Sequence, residues 1–193
     1  MFAIATTCLL LISLCANTSY GERRPTECVG QIDDSIRVLM IDVSAFGNFI
    51  TQLSDSLQRL GNVPRSTELI DSTVTFAAAV TARANGVIVQ LDKNITEVKN
   101  LKDYKPAAER MLAMRILEDE KKIVVISITS VDYLRTMALD FHSGIKAPNE
   151  AESEKYMNKV IAQKTKLDKI LADQDAISTK LETSHKQLEQ YIK

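Results

Sequence analysis

Residues Lys121 to Leu134 read KKIVVISITSVDYL, and the fold turns on whether this stretch is a strand or a helix. Taken alone, Ile123 to Val131 has the composition of a strand: apolar and rich in branched side chains. A strand here would need a partner, and the one candidate is Val87 to Leu91. The neighbours decide against it. Apolar residues recur at spacings of three and four on both sides, which is helical. Two such seams overlap. One is Leu112, Ile116, Ile123, Ile126, Tyr133 and Met137; the other is Leu117, Val124, Ile128, Val131, Leu134, Ala138 and Phe141. Branched residues lower helix propensity by only tenths of a kcal/mol each. Burying each such side chain returns roughly 1.5–3 kcal/mol. The stretch therefore reads as the most buried segment of a helical bundle.

Four prolines punctuate the chain at nearly even intervals: Pro25, Pro64, Pro106 and Pro148. Proline lacks an N–H and clashes with the preceding turn, so it marks helix ends and first turns. The first interval carries an unbroken heptad seam from Val29 through Ile32, Ile36, Leu39, Val43, Phe46, Ile50, Leu53 and Leu57 to Leu60. Gly61 and Asn62 supply its C-cap. The second begins at Ser66 as N-cap and continues the alternation as one helix, with Asn85-Gly86 as its weak point, where a kink or break is left open. In the fourth, Asn149 and Glu152 form a capping box, and no Gly or Pro occurs from Glu150 to Lys193. The expected helices are 26–60, 66–102, 106–142 and 150–192. Short connections force neighbours to reverse direction. The fold class is all-α, an elongated antiparallel up-down four-helix bundle with heptad-patterned long helices. An extended helical-hairpin dimer is the alternative.

Residues 1–21, MFAIATTCLLLISLCANTSYG, carry no charged side chain. Their apolar core, Ala3 to Ala16, is short for a bilayer span, and Ser19 and Gly21 suit cleavage before Glu22. This is the pattern of a signal peptide, so the rest of the chain, a single helical-bundle domain over 22–193, is expected to be secreted. No further stretch reads as long and apolar enough to cross a membrane, so no integral membrane segment is expected. Lys plus Arg number 24 and Asp plus Glu 25. Such a balance offers no attraction to a phosphate backbone and argues against nucleic acid as a partner. Cys8 and Cys15 leave with the leader. Cys28 remains, a candidate for an intermolecular disulfide or a buried thiol.

Catalytic groups are not assembled by the sequence. There is no Gly-rich phosphate loop, HExxH or GxSxG motif, and no cofactor is implied. Carboxylates read as a solvated helix surface, with none isolated in an apolar run. Glu182-Thr-Ser-His185 has the spacing of a bundle metal motif, but His142 lacks a matching glutamate, so no metal site is expected. Asn94-Ile-Thr96 is an N-glycosylation sequon, placed on the second helix's heptad seam. The chain thus reads as non-enzymatic, acting by binding. The first reading is a secreted interaction factor working through its surface, of salivary, venom, reproductive or host-directed type, with an unknown protein partner. It could equally be a homodimer through Cys28 or the fourth helix. The alternative is an apolar small ligand lined by Ile123, Val124, Ile126, Ile128, Val131, Leu134 and Met137. In general architecture this resembles secreted amphipathic-helix lipid carriers such as insect apolipophorins, without a shared motif. A structural coiled-coil component ranks third.

Overall fold

The computed structural model describes residues 23–60 and 63–192. The leader, cleavage before Glu22 and the Gly61–Asn62 cap lie outside the described residues. Four helices follow in chain order: α1 (Pro25–Leu60), α2 (Val63–Asn100), α3 (Ala107–Ile145) and α4 (Glu150–Leu188), closed by a 3-10 turn at Glu189–Tyr191. There is no strand among the described residues, and KKIVVISITSVDYL is helical throughout. The chain is an all-α four-helix bundle.

The helix ends differ from expectation in physical detail. Ser66 lies inside α2, which starts at Val63 and so holds Pro64 in its first turn, where its missing N–H costs nothing. Pro106 is extended and precedes α3 as its N-cap residue. Ser143 and Gly144 do not end α3; both lie within it. Gly144 serves a close approach instead. A Cβ there would strike the end of the Met157 side chain and crowd Tyr156 Cβ at 3.3 Å. At α4 the Asn149 side chain accepts from the Glu152 N–H at 2.9 Å, which is one half of the expected capping box.

The one-helix reading holds at Gly86: α2 is continuous through it. A Cβ at Gly86 would meet nothing within 4 Å. Gly86→Ala should therefore stabilise the protein by about 0.5–1 kcal/mol, by reducing the freedom of the unfolded chain and raising helix propensity. Urea denaturation reads this as a higher midpoint. A lower midpoint would show that the chain needs glycine there.

α3 is the central element, packed against α1, α2 and α4, whereas α4 rests chiefly on α3. The seam of α1 buries Val29, Ile32, Leu39, Phe46 and Leu53; that of α2 buries Ile70, Ala77, Val80, Ala84, Val87 and Leu91. α3 adds Ala113, Ile116, Leu117, Val124 and Val131. α3 is not buried all round, however. In the opening stretch Ile123, Val124, Ser127, Ser130 and Val131 are buried, while Val125 is 46% exposed. One side of the stretch packs into the core and the other reaches solvent. α4 buries only Leu167, Ser184 and Leu188.

Two segments also overturn an expectation. Pro25–Leu53 and Thr67–Asn100 each contain an 18-residue stretch, of mean hydropathy 1.2 and 1.3, and are long and apolar enough to cross a membrane by length and composition alone. The average hides their amphipathicity. Alanine, glycine and valine on the outer faces raise it, while Asp33, Asp34, Arg37 and Asp42 punctuate α1. Bundle helices pass the same test as membrane spans.

Candidate functional site

The start of α1, the end of α2, the start of α3 and the end of α4 meet at one end of the bundle, and this end has a polar interior. Arg24 donates to the Tyr191 carbonyl at 2.8 Å and to the Tyr104 hydroxyl at 3.3 Å. Tyr104 in turn donates to Glu109 Oε2 at 3.0 Å. Glu109 is wholly buried, and Arg24 lies 3.6 Å from it. Beside this network, Arg23 pairs with Glu97 at 3.0 Å, and the Cys28 thiol donates to Glu97 Oε2 at 3.8 Å.

Further along the bundle axis three helices bring together Asp33 from α1, Glu120 from α3 and His185 from α4. One ligand-type atom of each lies within 4.8 Å of the others. His185 Nε2 is 3.3 Å from Glu120 Oε1. Glu120 occupies a seam position of α3 between Leu117 and Val124 and is 2% exposed. Its Oε2 has no hydrogen-bond partner. Burial pushes the Glu120 carboxyl up to about 7, against the opposing hydrogen bond from His185, and Asp33 adds to the rise through its charge and through a carboxyl–carboxylate hydrogen bond. The same bond raises His185 above the usual imidazole range, opposed by burial. Asp33 is also raised, first by burial, against the pull of His185.

This corrects the reading of the carboxylates as a solvated helix surface: Glu109 and Glu120 are buried. The Glu182-x-x-His185 motif is not a unit, because Glu182 is exposed and bonds Lys186 at 2.7 Å. His185 looks across to α3 and α1 instead.

The opposite flank of α3 borders a cleft of about 870 Å³ between α2, α3 and α4. Its apolar lining is Ile95, Val125, Ile126, Ala176 and Ile177. Its rim carries Lys99, Lys121, Lys122 and Lys180 with Asp92, Glu118 and Asp173. Lys121 is tied to Asp92 and Lys122 to Asp119, both at 2.6 Å. Lys99 and Lys180 make no ion pair among the described residues. Of the apolar residues expected to line a ligand, Ile126 borders this cleft. Ile123 is buried, Val124 and Val131 belong to the main core, and Ile128 and Leu134 pack against it. Met137 is half-buried away from the cleft lining. The reason is the pitch of the helix: two seams about a quarter-turn apart cannot both face one opening.

Asn94 and Cys28 are placed together. Asn94 is buried, and its Nδ2 donates to the Cys28 carbonyl at 2.7 Å. Nδ2 is the atom that would carry a glycan, so glycosylation at Asn94 and this packing exclude each other. The heptad placement of Asn94 holds, and the sequon is buried with it. Cys28 is likewise fully buried, which removes it as an intermolecular disulfide in this fold. Burial, and then the charge of Glu97, push its thiol up to about 11. Cys28 should accordingly react with an aromatic disulfide reagent at about pH 8 many-fold more slowly in the native protein than in guanidinium. Equal rates in both would contradict its burial.

The chain matches no protein-family model, and it shows no significant similarity to a curated protein or to a solved structure.

Proposed function

We propose that this is a secreted, non-enzymatic binding protein, and that the cleft between α2, α3 and α4 takes an elongated apolar ligand with an anionic end. The cleft itself carries the reading. Its floor is aliphatic, its volume lies within the usual range for small-molecule sites, and Lys99 and Lys180 stand at the rim with no carboxylate partner among the described residues. An amphipathic anion would place its tail on Ile95, Ile126 and Ile177 and its head against those lysines. α4 rests chiefly on α3 and scarcely touches α2, so the α2–α4 side of the cleft can widen without disturbing the packing of α1 to α3. The test is displacement of a fluorescent long-chain fatty acid from delipidated protein. Binding in the micromolar range, lost in Ile126→Asp and weakened severalfold in Lys180→Glu, supports the reading. No binding, or binding indifferent to both changes, overturns it.

A second reading rests on α4. Ile161 is 63% exposed and Leu171 42%, on a helix that buries little of itself. This suits a protein partner docking along its outer face. Cross-linking in the native secretion, compared with an Ile161→Asp variant, tests it; a partner captured equally by both would rule that face out.

A further inference from the structure

We propose that Asp33, Glu120 and His185 form a binding site for a first-row divalent transition ion, Zn²⁺ foremost, which clasps α4 to α1 and α3. Three separate helices each supply one donor, so the cluster is a product of the tertiary fold and not of a local acidic run. The ligand-type atoms lie within 4.8 Å of one another. The 3.3 Å between His185 Nε2 and Glu120 Oε1 already matches the edge, about 3.3–3.4 Å, of a tetrahedron built on Zn–N and Zn–O bonds of ~2.0–2.1 Å. Asp33 is exposed on the rim of the cluster, with a carboxylate oxygen within 4.8 Å of the other two donors.

Independent support comes from Glu120. Its side chain is 3% exposed, and Oε2 is buried and meets no donor once Glu120 ionises. Such an oxygen is costly to leave unsatisfied in the interior. The proton that Glu120 shares with Asp33 is the one a metal ion would displace. The surroundings deepen the need for positive charge. Asp34 acts on Asp33, and Glu189 on His185, from the flanks. The one cationic group among the named influences on Glu120 is His185. A divalent ion would satisfy Glu120 Oε2 and neutralise both carboxylates together.

The donor set selects the ion. One imidazole with two carboxylates suits zinc, manganese, iron or cobalt better than calcium or magnesium, which favour all-oxygen shells. Three protein donors leave at least one position for water. The site lies on the flank of α3 away from the apolar cleft, and it stands or falls separately from ligand binding there.

The experiment uses the full chain, stripped with chelator and titrated with Zn²⁺ by calorimetry and with Co²⁺ by visible absorption. One ion per chain is expected, with a shift of the His185 imidazole resonances on binding and a Tm rise of about 5–10 °C at hundredfold excess over Kd. Asp33→Asn and His185→Ala, both at partly exposed positions that leave the fold intact by circular dichroism, should each weaken binding at least about tenfold. Glu182→Gln and His142→Ala should bind as the parent does. Absence of uptake of both ions overturns the proposal, and so does uptake that survives in the Asp33→Asn, His185→Ala double variant. Loss of binding in Glu182→Gln would place the ion elsewhere and also overturn it.

Discussion

Phe46→Ala, which truncates the largest fully buried side chain among the described residues, is expected to lower the unfolding free energy by about 3–5 kcal/mol. Phe46 is wholly buried in the α1 seam. Its ring meets Phe76 of α2 edge-on, with centroids 5.3 Å apart, and Phe49 flanks the same ring at 5.9 Å. Truncation loses the transfer energy of the ring, leaves a cavity between two long helices, and removes an aromatic pair worth about 0.5–1.5 kcal/mol beyond its area. Helices of this length are stiff across the contact and collapse only in part. For a domain of this size the loss corresponds to a Tm drop on the order of 10 °C. Val89→Ala is the contrast: Val89 is 69% exposed, and the change should stay within about 0.5 kcal/mol. Urea denaturation of the two variants checks both figures. Equal losses would contradict the assignment of the α1–α2 seam.

The second large effect is a dependence on pH. In metal-free protein, with chelator present, stability should fall as pH rises from about 5 to 8. Glu120 is pushed up to about 7 from an ordinary 4.5, so the folded state holds its proton more tightly than the unfolded state does. Stability from that proton is complete below the unfolded value and is lost as pH rises through the folded one. His185 and Asp33 are also raised, and both act with the same sign. At one pKa unit per ~1.4 kcal/mol, and allowing for the sharing of charge between Glu120 and His185, the decline is on the order of 2–3 kcal/mol. Glu120→Gln keeps the shape and discards the charge. It should flatten the profile and leave the variant more stable than the parent at about pH 8. A parent profile flat over this range, or a variant with the same slope, would contradict the burial of an ionisable Glu120.

The bundle was legible because long helices repeat their signal. In α1 the alternation of three and four from Val29 to Leu53 has no miss, and those residues line its buried or half-buried face. Pro64, Pro106 and Pro148 marked the ends of elements within a few residues. The strand-like KKIVV run yielded to the spacing of its neighbours. Glu120 was also within reach: Ala113, Leu117, Glu120 and Val124 step by four, three and four, and a seam count includes the glutamate. It was passed over because carboxylates on charged helices are usually solvated. Its partners were not readable. Asp33 and His185 join it only when three helices take one axial register, and heptads fix which face is inward but not how far one helix slides along another. The sequon at Asn94 illustrates the reverse: a motif defined by three residues carries no information on burial, while the heptad around it did.

The unequal seating of the helices has a consequence for how the molecule opens. α4 buries three side chains over thirty-nine residues, while α3 is held on three sides. Cooperative units in proteins follow buried contacts, and segments with few of them open at lower free energy than the whole. Because α4 is held almost wholly through α3 and buries few side chains, it is expected to open at lower free energy than the trio α1 to α3. The amide protons of α4 would then exchange with solvent by an excursion that leaves the rest of the molecule closed.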